Sequence, residues 1–134
     1  MSREFYVDDD AFSTTFDTLM GDIYKAAGEA LFNGTREGCI YGRDEVRENA
    51  SGYGWGEHTG YPKMWTYRTT RPSSGTVEGH IYCRKPGLVH LLEKGHATLG
   101  GGRTRAFPHV KPAADDTFEK VPQFVLEYLK EGLT

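Results

Sequence analysis

The chain has 134 residues and a net charge of −3, with 37% hydrophobic and 26% charged residues. This is the length of one domain, and we expect a single domain over residues 1–134. No apolar run approaches the ~20 residues that cross a bilayer, and the first ten residues lack the pattern of a signal peptide. The small net charge argues against a dedicated nucleic-acid binder. Composition therefore favours a protein made in the cytoplasm, without membrane insertion or specific nucleic-acid binding.

The charges are unevenly distributed along the chain. Residues 1–62 contain 5 basic and 12 acidic residues, residues 63–111 contain 9 and 2, and residues 112–134 contain 2 and 5. Complementary potentials fix the register of an interface, so subunits could pair an acidic face with a basic one. Alternatively, the opposite charges meet within one folded monomer.

A long helix is predicted near the N-terminus, where acidic residues precede apolar residues at helical spacing: Phe12, Phe16, Leu19, Ile23, Ala27, Ala30 and Leu31. The helix should begin near Asp10 and run at least to Phe32. Glycines then follow at one-turn intervals: Gly34, Gly38 and Gly42. Each costs about 1 kcal/mol relative to alanine, so a continuation to about Asn49 would be weak or broken unless a neighbour packs closely there.

Residues 50–60 hold four glycines interleaved with Tyr53 and Trp55. Such a composition sustains neither a helical nor a strand pattern and predicts a loop. We favour a flexible arm whose Tyr53 and Trp55 dock on another subunit over a simple surface connection.

Two strands are predicted in the middle of the chain. Residues 63–70 and 76–84 are rich in β-branched and aromatic residues, and the intervening RPSSG has turn composition. They form an antiparallel hairpin, with Cys83 on its inward face. Cys83 and Cys39 have no motif spacing and are expected to be free, partly buried thiols.

The remaining elements are two helices and a loop. Pro86 opens a short helix that ends at Gly95, and residues 95–108 form a glycine-rich basic loop. Phe107 to Val110 could return to the sheet as an edge strand. Pro112 begins a last helix, which Pro122 should kink, with an apolar stripe of Phe118, Val121, Val125 and Tyr128 or Leu129. The sequence thus predicts an α+β fold: a long N-terminal helix, a small antiparallel sheet, a short helix, a glycine-rich basic loop and a kinked C-terminal helix.

Four histidines in the basic part of the chain raise the possibility of a metal site: His80, His90, His96 and His109. His90 and His96 are six residues apart, which is not the spacing of two zinc ligands on one helix. A metal-dependent or nucleic-acid-processing enzyme using these histidines is the alternative interpretation. We favour histidines that form structural hydrogen bonds, and we expect no metal, no cofactor and no catalytic residue.

Other chemical motifs are weak. LGGGRTR at residues 99–105 lacks the spacing of a phosphate-binding loop. It favours a mobile loop that becomes ordered against a partner through Arg103 and Arg105. Cys83 near His80 or His90 is the only candidate nucleophile, and its inward position is that of an inert thiol. Stacking of single-stranded nucleic acid on Trp55, Trp65 and Tyr67 is a third interpretation, which the acidic termini oppose.

The segment LVHLLEKGHATLGGGRTRAFPHVKPA, from Leu88 to Ala113, resembles the putative tail-component family of Hong Kong-type siphophages, which are tail-completion or neck proteins. The shared pattern is a leucine-rich turn with His90 and Glu93, then His96, the basic glycine-rich loop, and Pro108 with His109. The close resemblance covers about a fifth of the chain. The N-terminal helix and the entry into the first strand are similar more loosely.

The resemblance implies that residues 1–134 form one head–tail joining domain, which assembles into a ring in the virion. The implied partners are further copies of the chain, in a hexameric ring that suits siphophage tail symmetry, together with the head connector or stopper, tail terminator and tail tube proteins. DNA would pass through the ring without specific binding. The family supplies no catalytic residue. We interpret the motif histidines, Glu93 and Pro108 as fastening the short helix, the loop and the returning segment to one another.

Overall fold

A computed structural model describes residues 9–134 of the chain. The elements in order are α1 (Asp9–Ser51), α2 (Gly56–Thr59), a 3-10 helix (Tyr61–Met64), β1 (Trp65–Ser73), β2 (Thr76–Cys83), α3 (Pro86–Lys94) and α4 (Val110–Leu133). The predicted α+β fold is confirmed, with a long first helix, a two-stranded antiparallel sheet, a short helix and a C-terminal helix.

The first helix is one unbroken element of 43 residues, which is about 65 Å at 1.5 Å per residue. The sequence permitted an end near Asn33 or a weak continuation, and the structure has the continuation. Its glycines are covered by α4. A Cβ atom added at Gly34 would lie 2.6 Å from the backbone of Val125, and one added at Gly38 would collide with Val121. The glycines therefore allow two helices to approach closely.

The two long helices run antiparallel. Gly132, near the end of α4, lies beside Ala26, whereas Thr117, near its start, lies beside Gly42. A hydrogen bond of 2.9 Å from the Tyr128 hydroxyl to Glu37 also joins them. The predicted stripe on α4 is wrong at its first position, because Phe118 is 79% exposed. Helix α4 begins at Val110, two residues before Pro112, and it continues through Pro122 without ending.

The predicted hairpin is confirmed. Its strands pair from Trp65 opposite Cys83 to Ser73 opposite Thr76, with an irregularity after Thr70. One face lies on α1, where the contact is close enough that a Cβ atom at Gly79 would meet the Cys39 sulfur at 2.5 Å. Both cysteines are buried and free, as predicted. Phe107 adds no third strand to the sheet, because its N–H donates instead to the Leu92 carbonyl, at 2.7 Å.

The segment after α1 differs from the predicted loop. A tight turn leads directly into α2, and Trp55 packs on the buried core rather than projecting as an arm. That core lies at the C-terminal end of α1 and contains mainly Val46, Ala50, Tyr61, Trp65, Cys83 and Ala113. Aromatic rings contribute much of its volume because aliphatic residues are scarce.

The other end of α1 extends beyond the rest of the described chain. Every residue from 9 to 25 is exposed except Met20, which is half-buried. The apolar residues of this half are 36% to 59% exposed along one stripe: Phe12, Phe16, Leu19 and Ile23. No helix within residues 9–134 combines the length and apolar composition of a membrane span.

The contact between α1 and α4 predicts opposite effects of two glycine substitutions. Gly34→Ala should lower the free energy of unfolding by about 1–2 kcal/mol, because overpacking against Val125 exceeds the gain in helix propensity. Gly28→Ala is the matched control, since a Cβ atom there meets nothing within 4 Å. It should raise stability by up to about 1 kcal/mol. Urea denaturation checks both, and equal stabilisation by the two alanines would contradict the proposed close contact.

Candidate functional site

The carboxylate of Glu93 joins α3 to the start of α4. Its Oε2 atom accepts hydrogen bonds from the N–H groups of His109, at 2.8 Å, and Val110, at 3.0 Å, and its Oε1 atom accepts from Lys111, at 3.0 Å. The first N–H groups of a helix have no partner within it, and the helix dipole favours an anion there. Glu93 therefore caps α4 from a different element, 16 residues earlier in the chain.

The imidazole of His109 lies at the centre of this site and is 0% exposed. Its Nδ1 atom is 2.7 Å from the Phe107 carbonyl oxygen and 3.0 Å from Oε2 of Glu93, and its Nε2 atom is 2.8 Å from the Tyr61 hydroxyl. Both neighbours of Nδ1 are hydrogen-bond acceptors, which assigns the ring proton to Nδ1. In the neutral ring, Nε2 then accepts from Tyr61.

The pKa values of two residues follow from this arrangement. Burial opposes ionisation of Glu93, but the backbone N–H donors of His109, Val110 and Lys111 outweigh it and lower the pKa of the carboxyl group. Burial raises the pKa of Tyr61 to about 12. Glu93 is therefore an anionic cap, and Tyr61 remains a hydrogen-bond donor to His109 over the physiological range.

Aromatic rings enclose the imidazole. Trp55, Tyr61 and Trp65 approach it edge-to-face, with ring centroids 6.4, 5.4 and 6.2 Å away. The burial of Trp65 and the packing of Trp55 against the core oppose the interpretation of these two rings as stacking platforms for nucleic acid.

Backbone carbonyls around His109 tie the end of α1 to the same site. The Asn49 side-chain amide donates to the His109 carbonyl, at 3.2 Å, and the Tyr53 hydroxyl donates to the Pro108 carbonyl, at 2.7 Å. Arg47 donates to the Trp65 carbonyl, with Nη2 at 2.6 Å. We call this set of contacts around Glu93 and His109 the junction. It connects α1, the start of the hairpin, α3 and α4.

The other histidines lie outside the junction. His90 and His96 are exposed, and the Nδ1 atom of His96 is 3.1 Å from the Thr104 hydroxyl at the base of the basic loop. His80 lies 3.3 Å from Glu78 on the exposed side of the hairpin. Within residues 9–134, no group of three or more His, Cys, Asp or Glu side chains is placed to hold a metal ion.

The candidate nucleophile is also separated from the histidines. Cys83 and His80 are three residues apart on one strand, so their side chains lie on opposite faces of the hairpin. The Cys83 sulfur accepts a hydrogen bond from the Lys85 N–H, at 3.4 Å. Cys39, on α1, packs at Gly79 against the same face of the hairpin, and burial raises the pKa of its thiol. Both positions are those of inert, buried thiols.

The basic loop has hydrogen bonds within itself. Thr98 donates to Gly102, at 2.8 Å, and Thr104 donates to His96, at 2.8 Å, which closes a small hairpin with Leu99 at its exposed tip. Arg103 donates to the carbonyls of Lys94 and Gly95 at the end of α3, and the guanidinium of Arg105 lies 5.4 Å from the Phe107 ring centroid. Both arginines thus have contacts within their own chain while remaining exposed.

Sequence reasoning found Glu93, Pro108 and His109 but missed Tyr61, Asn49 and Arg47. Tyr61 and His109 are 48 residues apart, and no local pattern links them. Comparison with known proteins adds no partner for this junction, because no family model, no curated protein and no solved structure matches the chain.

The anionic cap predicts a specific loss of stability in Glu93→Gln. We expect a decrease of about 1–3 kcal/mol near neutral pH, because the amide cannot accept all three backbone hydrogen bonds. The pKa of Glu93 is lowered, so its contribution is complete above the ordinary value of 4.5 and disappears as pH falls through the lower folded value. The difference from wild type should therefore shrink below about pH 4.5. Glu127→Gln, at an exposed position, is the control. A stability difference between Glu93→Gln and wild type that does not change with pH would contradict the role of Glu93 as a cap.

The different burial of His109 and His96 predicts that replacing them lowers stability by different amounts. His109→Ala should lower stability by about 3 kcal/mol or more, because it creates a cavity and leaves the Tyr61 hydroxyl and Phe107 carbonyl unpaired. His96→Ala should cost less than about 1 kcal/mol, because the side chain is exposed. Thermal and urea denaturation measure both. Equal effects would contradict the central role of His109.

Proposed function

We propose that this protein is a non-enzymatic structural subunit of a phage virion, which assembles as a ring at the head-proximal end of the tail and joins the head connector to the tail tube. The observation that carries the structural role is the apolar stripe on the projecting half of α1. Exposed apolar surface of this kind marks an interaction site in a soluble protein. An assembly subunit needs such a surface.

The junction supports a mechanical role. The carboxylate of Glu93 and both ring nitrogens of His109 are occupied by hydrogen bonds within the chain. Such a buried network fixes the positions of the helices relative to one another. The resemblance of residues 88–113 to a tail-component family supplies the phage part of the proposal, and its motif residues Glu93, Pro108 and His109 meet at the junction.

The proposal of a ring rests on two exposed surfaces of different character, the apolar stripe on α1 and the basic loop with Leu99 at its tip. A contact between different surfaces of identical subunits generates a ring when its rotation closes. We propose six subunits, with head connector or stopper, tail terminator and tail tube proteins above and below, and with DNA passing through the lumen without specific binding.

The proposed role predicts the phenotype of a phage that lacks this gene. Its lysates should contain unjoined heads and tails, countable by electron microscopy, and a plasmid copy of the gene should restore joined virions. The protein should also be detected by mass spectrometry in purified virions.

A plasmid carrying the Glu127→Gln variant, which changes one exposed side chain, should restore joined virions as fully as the wild-type plasmid. It shows that a surface substitution in the plasmid copy does not itself impair joining. Normal yields of joined virions without the gene would contradict the proposed function.

A further inference from the structure

The first half of α1 carries a seam with coiled-coil spacing. Its residues alternate in steps of four and three: Phe12, Phe16, Leu19, Ile23, Ala26 and Ala30. A narrow seam of this spacing packs against another helix. With 3.6 residues per turn, the seam continues the side of α1 on which Gly34 contacts α4. Helix α4 ends at Leu133, and its Gly132 lies beside Ala26. The contact face therefore extends beyond the helix that covers it.

The charge on this segment restricts what can cover it. The arm, which we define as residues 9–25, contains four acidic residues and one lysine. If two arms packed side by side, two net-negative segments would lie within ~8–10 Å of each other. At that distance salt screens their repulsion only partly. A partner surface that is basic and apolar would instead satisfy both the charge and the seam.

The chain itself contains such a surface. Residues 84–106 hold five basic residues and one acid, and that acid, Glu93, is directed at the start of α4. Leu88 and Leu91 are exposed one turn apart on α3, and Leu99 is fully exposed at the tip of the loop. We call this segment the basic segment.

The arm cannot reach the basic segment of its own chain. The junction ties α3 and the loop to the end of α1 near Asn49, and 33 residues of straight helix separate Asn49 from Phe16, which is about 50 Å. A contact between the arm and the basic segment must therefore join two molecules.

We infer that the arm of one copy docks on the basic segment of a second copy through the seam residues Phe12, Phe16, Leu19 and Ile23. Each copy then uses two different surfaces, so the contact propagates from subunit to subunit. This inference rests on the proposed function only in that both require self-association, and its direct test needs no phage.

A photo-cross-linking residue at position 16 identifies what covers the seam. In purified full-length protein, we expect intermolecular cross-links to residues 84–106, located by mass spectrometry. The same residue at Tyr24, which is 70% exposed and off the seam, is the control. Its cross-linking yield should be lower, because position 24 does not face the docked surface.

Three other cross-linking results would overturn the inference. Cross-links between two arms would indicate a symmetric coiled coil. Cross-links to Phe118 or Pro122 would place the arm in the cavity of about 450 Å³ between α1, β2 and α4. No intermolecular cross-link at the highest attainable concentration would mean that copies do not dock in this way.

Mixing two variants tests the same contact without a probe. An arm variant, Phe16→Gln with Leu19→Gln, and a segment variant, Leu88→Gln with Leu91→Gln, should each associate at least tenfold more weakly than wild type, because each loses exposed apolar side chains. Mixed together they should form a dimer, since the segment variant retains a good arm and the arm variant retains a good segment. Sedimentation velocity distinguishes these species.

A segment variant that self-associates as wild type does, with no dimer gained on mixing, would contradict the inference. The two proposals fail separately. Heterologous cross-links together with a normal phage deletion would reject only the virion role, whereas missing cross-links with a joining defect would reject only this contact.

Discussion

The acceptance of three backbone N–H groups by one carboxylate is the interaction on which the rest of this structure depends. Glu93 lies on α3, and its partners are the first residues of α4. The same carboxylate lies 3.0 Å from the imidazole of His109, whose carbonyl binds Asn49 near the end of α1. These hydrogen bonds therefore join three helices beside the buried core, to which Val46 of α1, Leu92 of α3 and Ala113 of α4 contribute apolar contacts. The carboxylate of Glu93 and the ring nitrogens of His109 are paired in this network, which favours one arrangement of the core.

The close packing of α1 and α4 is the second constraint, and it acts over distance. Glycine at positions 34, 38 and 42 brings α4 against the α1 backbone, and the Tyr128 hydroxyl adds a hydrogen bond to Glu37. The contact holds α1 and α4 in a fixed register along its whole length, and the junction holds the start of α4. The junction therefore also sets the direction in which residues 9–25 of α1 project. A surface at one end of the molecule is thus positioned by hydrogen bonds near the other end.

The elements were predictable where the signal is local, and the contacts were not where it is long-range. The 3.6-residue period sufficed for α4 and for α1 as far as Phe32, and the turn at RPSSG sufficed for the hairpin. The glycines at 34, 38 and 42 look like helix breakers until α4 is in place, so their meaning depends on a neighbour about 80 residues away. Phe118 was misplaced because hydrophobicity was taken as burial, whereas the smaller Thr117 occupies the contact with Gly42. Glu93 and His109 were found through their motif, but no local sequence pattern indicates the hydrogen bond between Tyr61 and His109.

The position of the core at one end of a single long helix has a consequence for how such a protein can change. Residues 9–25 contribute nothing to the buried cluster, so their length is free to vary without disturbing the fold. Adding seven residues to the helix would move its tip by about 10.5 Å while turning the apolar stripe by only about 20°. The length of the arm can therefore change in steps of seven residues. Each step alters the distance that a subunit spans, while the rest of the fold keeps its shape.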